Sequence, residues 1–376
     1  MGDHSKIEWT DATWNPTAGC WPVSPGCLNC YAGREAARLA TNPKLFGKYE
    51  GTAEWKDGRA RWTNVVREWP SALEIPLRWK RPRQIFVDSM SDLFHEGFSN
   101  EYIAAVFGVM AATPWHTYQV LTKRAERLPE WFAWHAAEAE RDGEAWIPIM
   151  RAACERLPTD LAERLQEEGI ARDGTSATEP WPLPNVWLGV SVEDQQRADE
   201  RLPHLLRTPA AVRWVSAEPL LGPVDFESDS GTIGDRGNRV LRQAFGYPRM
   251  LWACPTCDGT RYAETDPVAR PCSACGGTGV GLRWVVVGGE SGPRARPMHP
   301  DWARSLRDQC VTAGVPFLFK QWGAWAPDDR DKPPDITLTN MDGQQMAEVG
   351  KKAAGRELDG VTWDQYPAYR LHVRER

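Results

Sequence analysis

Cys20, Cys27 and Cys30 share one Pro/Gly-rich loop, Gly19 to Cys30, which leads into a helical pattern beginning at Tyr31. Thiolates are soft ligands suited to iron–sulfur clusters or zinc. A closed structural zinc site takes four protein ligands. Three cysteines on one loop leave a coordination position open, which favours a site that does chemistry. Cys27 and Cys30 also fit half of a zinc knuckle completed by His4 or His95, with Cys20 a buried bystander. Spacing alone leaves both readings open.

A second set, Cys254, Cys257, Cys272 and Cys275, has the spacing CxxC-x14-CxxC. Four thiolates in two knuckles, with glycine close behind each pair, match tetrahedral structural zinc. An auxiliary iron–sulfur cluster is the competing occupant. The surrounding segment has few large apolar residues, so metal binding must supply its folding free energy. Arg261, Arg270 and Arg283 give it positive charge suited to a lid, to nucleic-acid contact or to no more than a structural staple. Cys154 and Cys310 stand alone on amphipathic helical patterns and read as core residues.

The elements that must position these groups repeat along the chain. An aromatic segment from Ile7 to Pro16 reads as the first strand. Short apolar runs follow at 84–90, 117–122, 186–191, 212–216, 283–288 and 316–320. Helical patterns lie between them, at 31–40, 100–112, from Arg124 towards Trp134, at 195–206 and at 301–313. Strands apolar on both faces, alternating with helices, predict a parallel sheet built from right-handed crossovers. The expected fold is an α/β, full or partial parallel (β/α) barrel of six to seven units. It carries a charged helical insertion over 135–183 and a zinc-ribbon-like insertion over 225–282. The barrel itself spans 1–134, 184–224 and 283–376. Residues 41–83 read as a long irregular connection, and the tail after Gln321 as a cover across one end.

In such a fold the active site lies at the C-terminal ends of the strands. The polar residues expected there are Ser89, Asp92, Lys123, Ser191, Glu193, Glu218, Glu290 and Lys320, with the three-cysteine loop opening onto the same face. A Ser or Asp after a strand is often a helix N-cap, and Asp92, Ser191 and Asp194 each carry that reading. Glu218 before Pro219, and Glu290 after two glycines, sit in tight turns that favour facing a ligand.

Composition bounds the alternatives. A net charge of −6 argues against a general nucleic-acid coat or a membrane-surface binder. No apolar run approaches the ~18–20 residues needed to span a bilayer, and the N-terminus lacks a signal-peptide pattern. A cytoplasmic protein is expected, whose clustered cysteines are metal ligands before they are disulfides. The 20 tryptophans fall mostly beside prolines or at strand ends, where packing accounts for them.

The motifs Trp9-Thr10-Asp11, Thr13-Trp14-Asn15-Pro16, Gly19-Cys20 and Pro25-Gly26-Cys27-Leu28-Asn29-Cys30-Tyr31-Ala32 resemble those of phage-associated three-cysteine-motif proteins. So do Ser89-Met90-Ser91-Asp92-Leu93-Phe94, Leu121-Thr122-Lys123-Arg124, Trp187 to Glu193, Ser216 to Leu220 and Gly288 to Gly292. That family in turn resembles the radical S-adenosylmethionine (radical SAM) enzymes. The resemblance implies a [4Fe–4S] cluster on Cys20, Cys27 and Cys30, with S-adenosylmethionine at the open iron. It further implies Ser89 and Asp92 near the cofactor's amino group, Ser191 and Glu193 near its ribose, and Glu218 near its adenosyl end, with Lys123 and Glu290 on the same rim. The spacing here, Cys-x6-Cys-x2-Cys, departs from the CxxxCxxC of that superfamily, and the extra residues include Pro22, Pro25 and Gly26.

The function this implies is cleavage of S-adenosylmethionine to start radical chemistry on a nucleotide or nucleic-acid substrate, with an electron-donor protein as partner and zinc in the second cysteine set. The alternative, from a different class, is a zinc-stabilised nucleic-acid-binding protein without redox activity. Zinc hydrolysis lacks an HExxH or HxE…CxxC pattern.

Overall fold

Seven strands form one all-parallel sheet whose spatial order is the order of the chain. They are β1 (Ala12–Trp14), β2 (Gln84–Val87), β3 (Thr117–Thr122), β4 (Val186–Ser191), β5 (Val212–Ala217), β6 (Trp284–Gly288) and β7 (Phe317–Gln321). The sheet curls into half a barrel, the partial form of the expected architecture. The structure, a computed structural model, describes residues 4–43, 45–170, 181–226, 281–328 and 338–367. Cys254, Cys257, Cys272 and Cys275 lie outside the described residues, with most of the zinc-ribbon-like insertion that was expected to hold them.

Side chains alternate across a strand, and here the alternation sorts two cores. Ile85, Val87, Leu188, Val190, Val215, Val285, Val287, Phe317 and Phe319 face the outer helices. Phe86, Trp187, Trp214, Trp284, Val286 and Leu318 face the concave side, where Trp9 joins them. Each large aromatic ring buries ~150–250 Å2. At ~25 cal/mol/Å2 that is roughly 4–6 kcal/mol of transfer free energy per ring as an upper bound. The tryptophan-rich composition is therefore the filling of a half-barrel. Gly189 belongs to that packing, because a Cβ there would lie 2.5 Å from the Trp214 indole.

Outside the sheet run α1 (Tyr31–Leu39), α2 (Asn100–Ala112), α3 (Arg127–Asp142), α4 (Trp146–Cys154), α5 (Thr159–Ile170), α6 (Gln195–Arg207) and α7 (Pro300–Ala313). Ser99 caps α2 and Asp194 caps α6, each accepting a backbone N–H three residues on, so the capping reading holds for Asp194. The charged helices over 135–170 are no detached insertion. Ile149, Ala152, Ala153 and Leu165 join the outer core, and a Cβ on Gly108 of α2 would lie 2.2 Å from the Ile149 carbonyl. Cys310 is buried in the same core and Cys154 packs against it.

The stretch 41–83, expected to be irregular, instead holds a short helix (Phe46–Tyr49) and a β-hairpin, Ala53–Lys56 with Arg59–Trp62. Its Asp57-Gly58 turn has positive φ at both residues, a hairpin signal present in the sequence but embedded in charged residues. The tail covers the open edge of β7, where Leu318 bridges Asp364 and the Phe319 amide donates to the Trp363 carbonyl at 3.0 Å. Pairing this edge removes a template for aggregation.

Candidate functional site

The concave side continues upward from its aromatic floor into a polar layer by the same two-residue period. Beyond Phe86 comes Asp88, beyond Trp214 comes Ser216, beyond Leu318 comes Lys320, and Ser191 ends β4. These residues line a cavity of about 410 Å3 at the C-terminal ends of the strands, together with Cys20, Cys27, Cys30, Ser89, Asp92, Lys123, Glu218 and Glu290. That volume lies within the ~300–1,000 Å3 of small-ligand sites. The sequence-predicted residues thus converge on one cavity, except that Glu193 stands behind its wall.

Charged strand ends hold the cysteine loop on three sides. From the end of β3, Arg124 approaches the Cys20 Sγ at 3.7 Å and donates to the Trp21 carbonyl at 3.0 Å. Its guanidinium also meets Asp92 at 3.4 Å and Glu96 at 2.8 Å. From β4, the fully buried Glu193 accepts the Ser24 hydroxyl at 2.6 Å and pairs with Arg201 at 2.8 Å and Lys123 at 3.4 Å. A Cβ on Gly26 would lie 2.4 Å from its carboxylate, so glycine is what lets the loop descend onto Glu193. From β6, Glu290 accepts Asn29 Nδ2 at 3.0 Å while Arg296 grips it at 2.6 and 2.9 Å.

Burial alone would raise both carboxyls. Lys123, Arg201 and the Ser24 hydroxyl outweigh it at Glu193, and hydrogen bonds from Arg296 and Asn29 outweigh it at Glu290, so both lie below the usual carboxylate range. Each is an anion whose acceptor capacity is largely taken by protein donors. Asp92 is occupied too. It accepts Thr122 Oγ1 at 2.7 Å, the Phe94 amide at 3.1 Å and the Lys123 amide at 3.0 Å, fixing the turn after β2 against the end of β3.

On the remaining wall the groups face the cavity with fewer ties. Lys320 and Glu218 pair at 2.8 Å, and Ser216 donates to Glu218 at 3.1 Å. Gly288 leaves the space that the Glu218 carboxylate fills, since a Cβ would lie 2.7 Å from its Oε1. Ser89 donates to Asn15 Oδ1 at 3.1 Å, and its carbonyl accepts the Tyr31 hydroxyl at 2.8 Å.

The three thiols face the same cavity and are close enough to feel one another's charge. Burial, then Asp92, pushes Cys20 up to about 12 against the pull of Arg124, and burial raises Cys30. A bound metal centre would reverse this, because coordination deprotonates a thiol. Among the described residues, no three His, Cys, Asp or Glu side chains converge tightly enough to cage a single ion. Single zinc binding at Zn–S distances of about 2.3 Å needs such convergence. A cluster carries its thiolates on separate irons and so accepts them farther apart. The donors that the loop offers the cavity are thiols, which suit an iron–sulfur cluster or zinc, and no imidazole is among the cavity's lining residues.

Sequence reasoning missed Arg124, Ser24 and Asn29 as holders of the loop, and Asp88 and Ser216 as lining residues. Asp88 and Ser216 were legible by counting two from Phe86 and Trp214. The loop contacts of Ser24 and Asn29 link positions 169 and 261 residues apart and left no local signal.

Fold and site together define a parallel α/β half-barrel protein with a thiol-lined cavity at its strand ends. The chain belongs to the protein family of unknown function DUF5131, whose model matches residues 4–367. No curated protein and no solved structure matches it. Among the described residues no helix is long and apolar enough to cross a membrane.

Proposed function

We propose that the protein is a radical SAM-like enzyme acting on a nucleotide or nucleic-acid substrate, with an electron-donor protein as its partner. The observation that supports this reading is one loop whose three free thiols face a polar cavity at the strand ends. Cys20, Cys27 and Cys30 would hold the [4Fe–4S] cluster. When bound, the cluster and S-adenosylmethionine supply the one-electron chemistry, which is the cofactors' own.

The chain's residues position and shield. Arg124 keeps a fixed positive charge beside Cys20, while Glu193 and Glu290 fix the loop's path through Ser24 and Asn29. Glu218, Ser216, Ser191 and Lys320 are the groups left to orient a polar ligand over the apolar floor that Trp9 and Phe86 present to the cavity. The second cysteine set, Cys254, Cys257, Cys272 and Cys275, would hold zinc, to be checked by zinc stoichiometry before and after Cys257→Ser.

The test is anaerobic reconstitution with iron and sulfide, reduction with dithionite and addition of S-adenosylmethionine. Brown protein that releases 5′-deoxyadenosine is expected, with Cys27→Ala colourless and inactive. Iron-loaded wild type that yields no 5′-deoxyadenosine overturns the proposal, as does a colourless chain carrying only zinc.

A further inference from the structure

The cations at the strand ends are neutralised by carboxylates of the chain itself. Lys123, Arg124, Arg201, Arg296 and Lys320 each have one at 2.6–3.4 Å. Two arginines near the cavity rim do not. The side chains of Arg34, which is half-buried, and Arg294, which is exposed, make no ion pair and no hydrogen bond among the described residues.

Both belong to one turn, Gly289 to Arg296 after β6, which lends Glu290 and Ser291 to the cavity lining. The Arg34 guanidinium crosses to it from α1, where a Cβ on Gly292 would lie 3.4 Å from Nη1 and 3.6 Å from Nη2. Arg294 follows two residues on, its Cα within ~7.6 Å of that of Gly292, two steps of ~3.8 Å. The cysteine loop holds the turn in place, because Asn29 Nδ2 donates to the Arg294 carbonyl at 2.9 Å and to Glu290 at 3.0 Å. Gly292 and Arg294 have φ of +95° and +63°, and Pro293 between them is fixed at negative φ. The amides of Ser291, Gly292 and Arg294 and the Ser291 hydroxyl have no hydrogen-bond partner among the described residues. Turns in which the sign of φ changes between successive residues can aim such amides at an anion. Residues 31–39 and 289–296 together hold four Arg against two Glu, a net +2 in a chain of net −6. Glu35 is taken by Arg38 and Glu290 by Arg296, so the excess is Arg34 and Arg294.

We infer that Arg34, Arg294 and the Ser291–Arg294 backbone bind the phosphate of a phosphate ester whose remaining part enters the cavity past Ser291. Guanidinium groups fork onto phosphate oxygens through paired, charge-assisted hydrogen bonds, and the free amides and hydroxyl of the turn add neutral donors. That the ester is a nucleotide rests on the function proposed above. The phosphate site does not.

The test is equilibrium binding, to the full chain as purified, of the common ribonucleoside monophosphates and of their nucleosides, with inorganic phosphate as competitor. In wild type at least one monophosphate should bind about tenfold or more tightly than its nucleoside, and inorganic phosphate should displace it. R34Q/R294Q should bring that ratio close to one while the nucleoside's own affinity holds. R34Q and R294Q singly should each lower the ratio, and they decide the matter if the double variant does not fold. R38Q, one helical turn along α1 and already paired with Glu35, should leave the ratio unchanged. An unchanged urea midpoint verifies the fold of each variant.

A wild type that prefers no monophosphate to its nucleoside overturns the inference, as does a preference retained in R34Q/R294Q. An equal loss in R38Q also overturns it, since the attraction would then be the diffuse charge of α1. If R34Q/R294Q weakens S-adenosylmethionine binding and spares the monophosphate, the turn meets the carboxylate of that molecule and the inference fails. A chain that shows the phosphate preference but yields no 5′-deoxyadenosine overturns the enzyme proposal and leaves this one standing. A chain that yields 5′-deoxyadenosine and ignores the phosphate does the reverse.

Discussion

Four acidic residues stand at the strand ends in similar sequence settings, yet the two walls of the cavity use them differently. Glu193 and Glu290 are drawn into the protein, each satisfied by an arginine and by a polar side chain of the cysteine loop. Asp88 and Glu218 line the cavity with acceptor capacity in hand. Asp88 uses only one oxygen, which accepts Ser91 and the Thr17 amide, and its buried Oδ2 lacks a hydrogen-bond partner. Position at the end of a parallel strand thus places a carboxylate near the site. The side chains that reach it from distant loops decide whether it builds the site or meets the ligand.

Breaking the building wall should produce the largest change. Glu193→Ala leaves Arg201, 6% exposed, without its carboxylate inside the protein. Stranding one member of a buried pair costs about 3–5 kcal/mol. Urea unfolding should show a loss of that order, and the apo chain's Cys27 and Cys30 should react faster with a thiol reagent as the Ser24 tether goes. A loss below ~1 kcal/mol would mean that the Glu193 cluster is ornamental and the contrast between the walls false.

Glu290→Gln tests the same wall more gently. The amide keeps an acceptor for Asn29 but gives up the charge that Arg296 grips, and Arg296 can turn to water. A cost of about 1–3 kcal/mol is expected, with thiol reactivity rising less than in Glu193→Ala. Equal reactivity in the two variants would place the whole restraint on one side of the loop.

These contrasts mark how far sequence reasoning reaches. Period-two strands, apolar on both faces, specify a parallel sheet, and seven strands in chain order follow from local patterns joined by right-handed crossovers. The convergence of Cys20, Cys27, Cys30 and Glu218 on one rim follows from that topology. The pairing of Glu193 with Ser24, or of Arg124 with Cys20, does not, because it depends on how a Pro/Gly-rich loop falls across three strand ends. The hairpin at 53–62 was missed for a different reason. Its outward face is charged and its inward face reads Ala, Trp, Ala, Trp, so the alternation carries little hydrophobic contrast.

On the ligand-facing wall the effects are smaller and depend on pH. Burial raises the Asp88 carboxyl to about 6, against the hydrogen bonds of Ser91 and Thr17 and the charge of Lys48. The folded chain then keeps a proton that the unfolded chain has released. This group's contribution is full below 3.8 and is lost as pH rises through about 6. Burial likewise lowers the enclosed Lys48 ammonium to about 8 against the charge of Asp88, so its contribution is present above 10.5 and lost as pH falls through about 8. Tyr49 and Tyr102 also lie within the field of Asp88 and stay neutral across this range. Urea midpoints should therefore move in favour of Asp88→Asn, relative to wild type, as pH rises from 3.8 to 6. A difference independent of pH would show that Asp88 is as well satisfied as Glu193, and would move it to the building wall.

The smallest effect on stability is expected where the effect on function is greatest. Glu218 and Lys320 pair at 2.8 Å with 13% and 16% of their side chains exposed, so water reaches both. Removing the two charges together, as E218Q/K320M, leaves no stranded ion, and such replacements lie within about 1 kcal/mol of neutral unless the pair is structural. If these groups orient the ligand, binding of S-adenosylmethionine to the reconstituted protein should fall at least tenfold while iron content and the urea midpoint hold. Glu193→Ala should show the opposite order, with the fold and the loop failing first and ligand binding lost as a consequence. Should E218Q/K320M unfold as readily as Glu193→Ala, both walls are scaffold, and the ligand must be held by the loop and the serines alone.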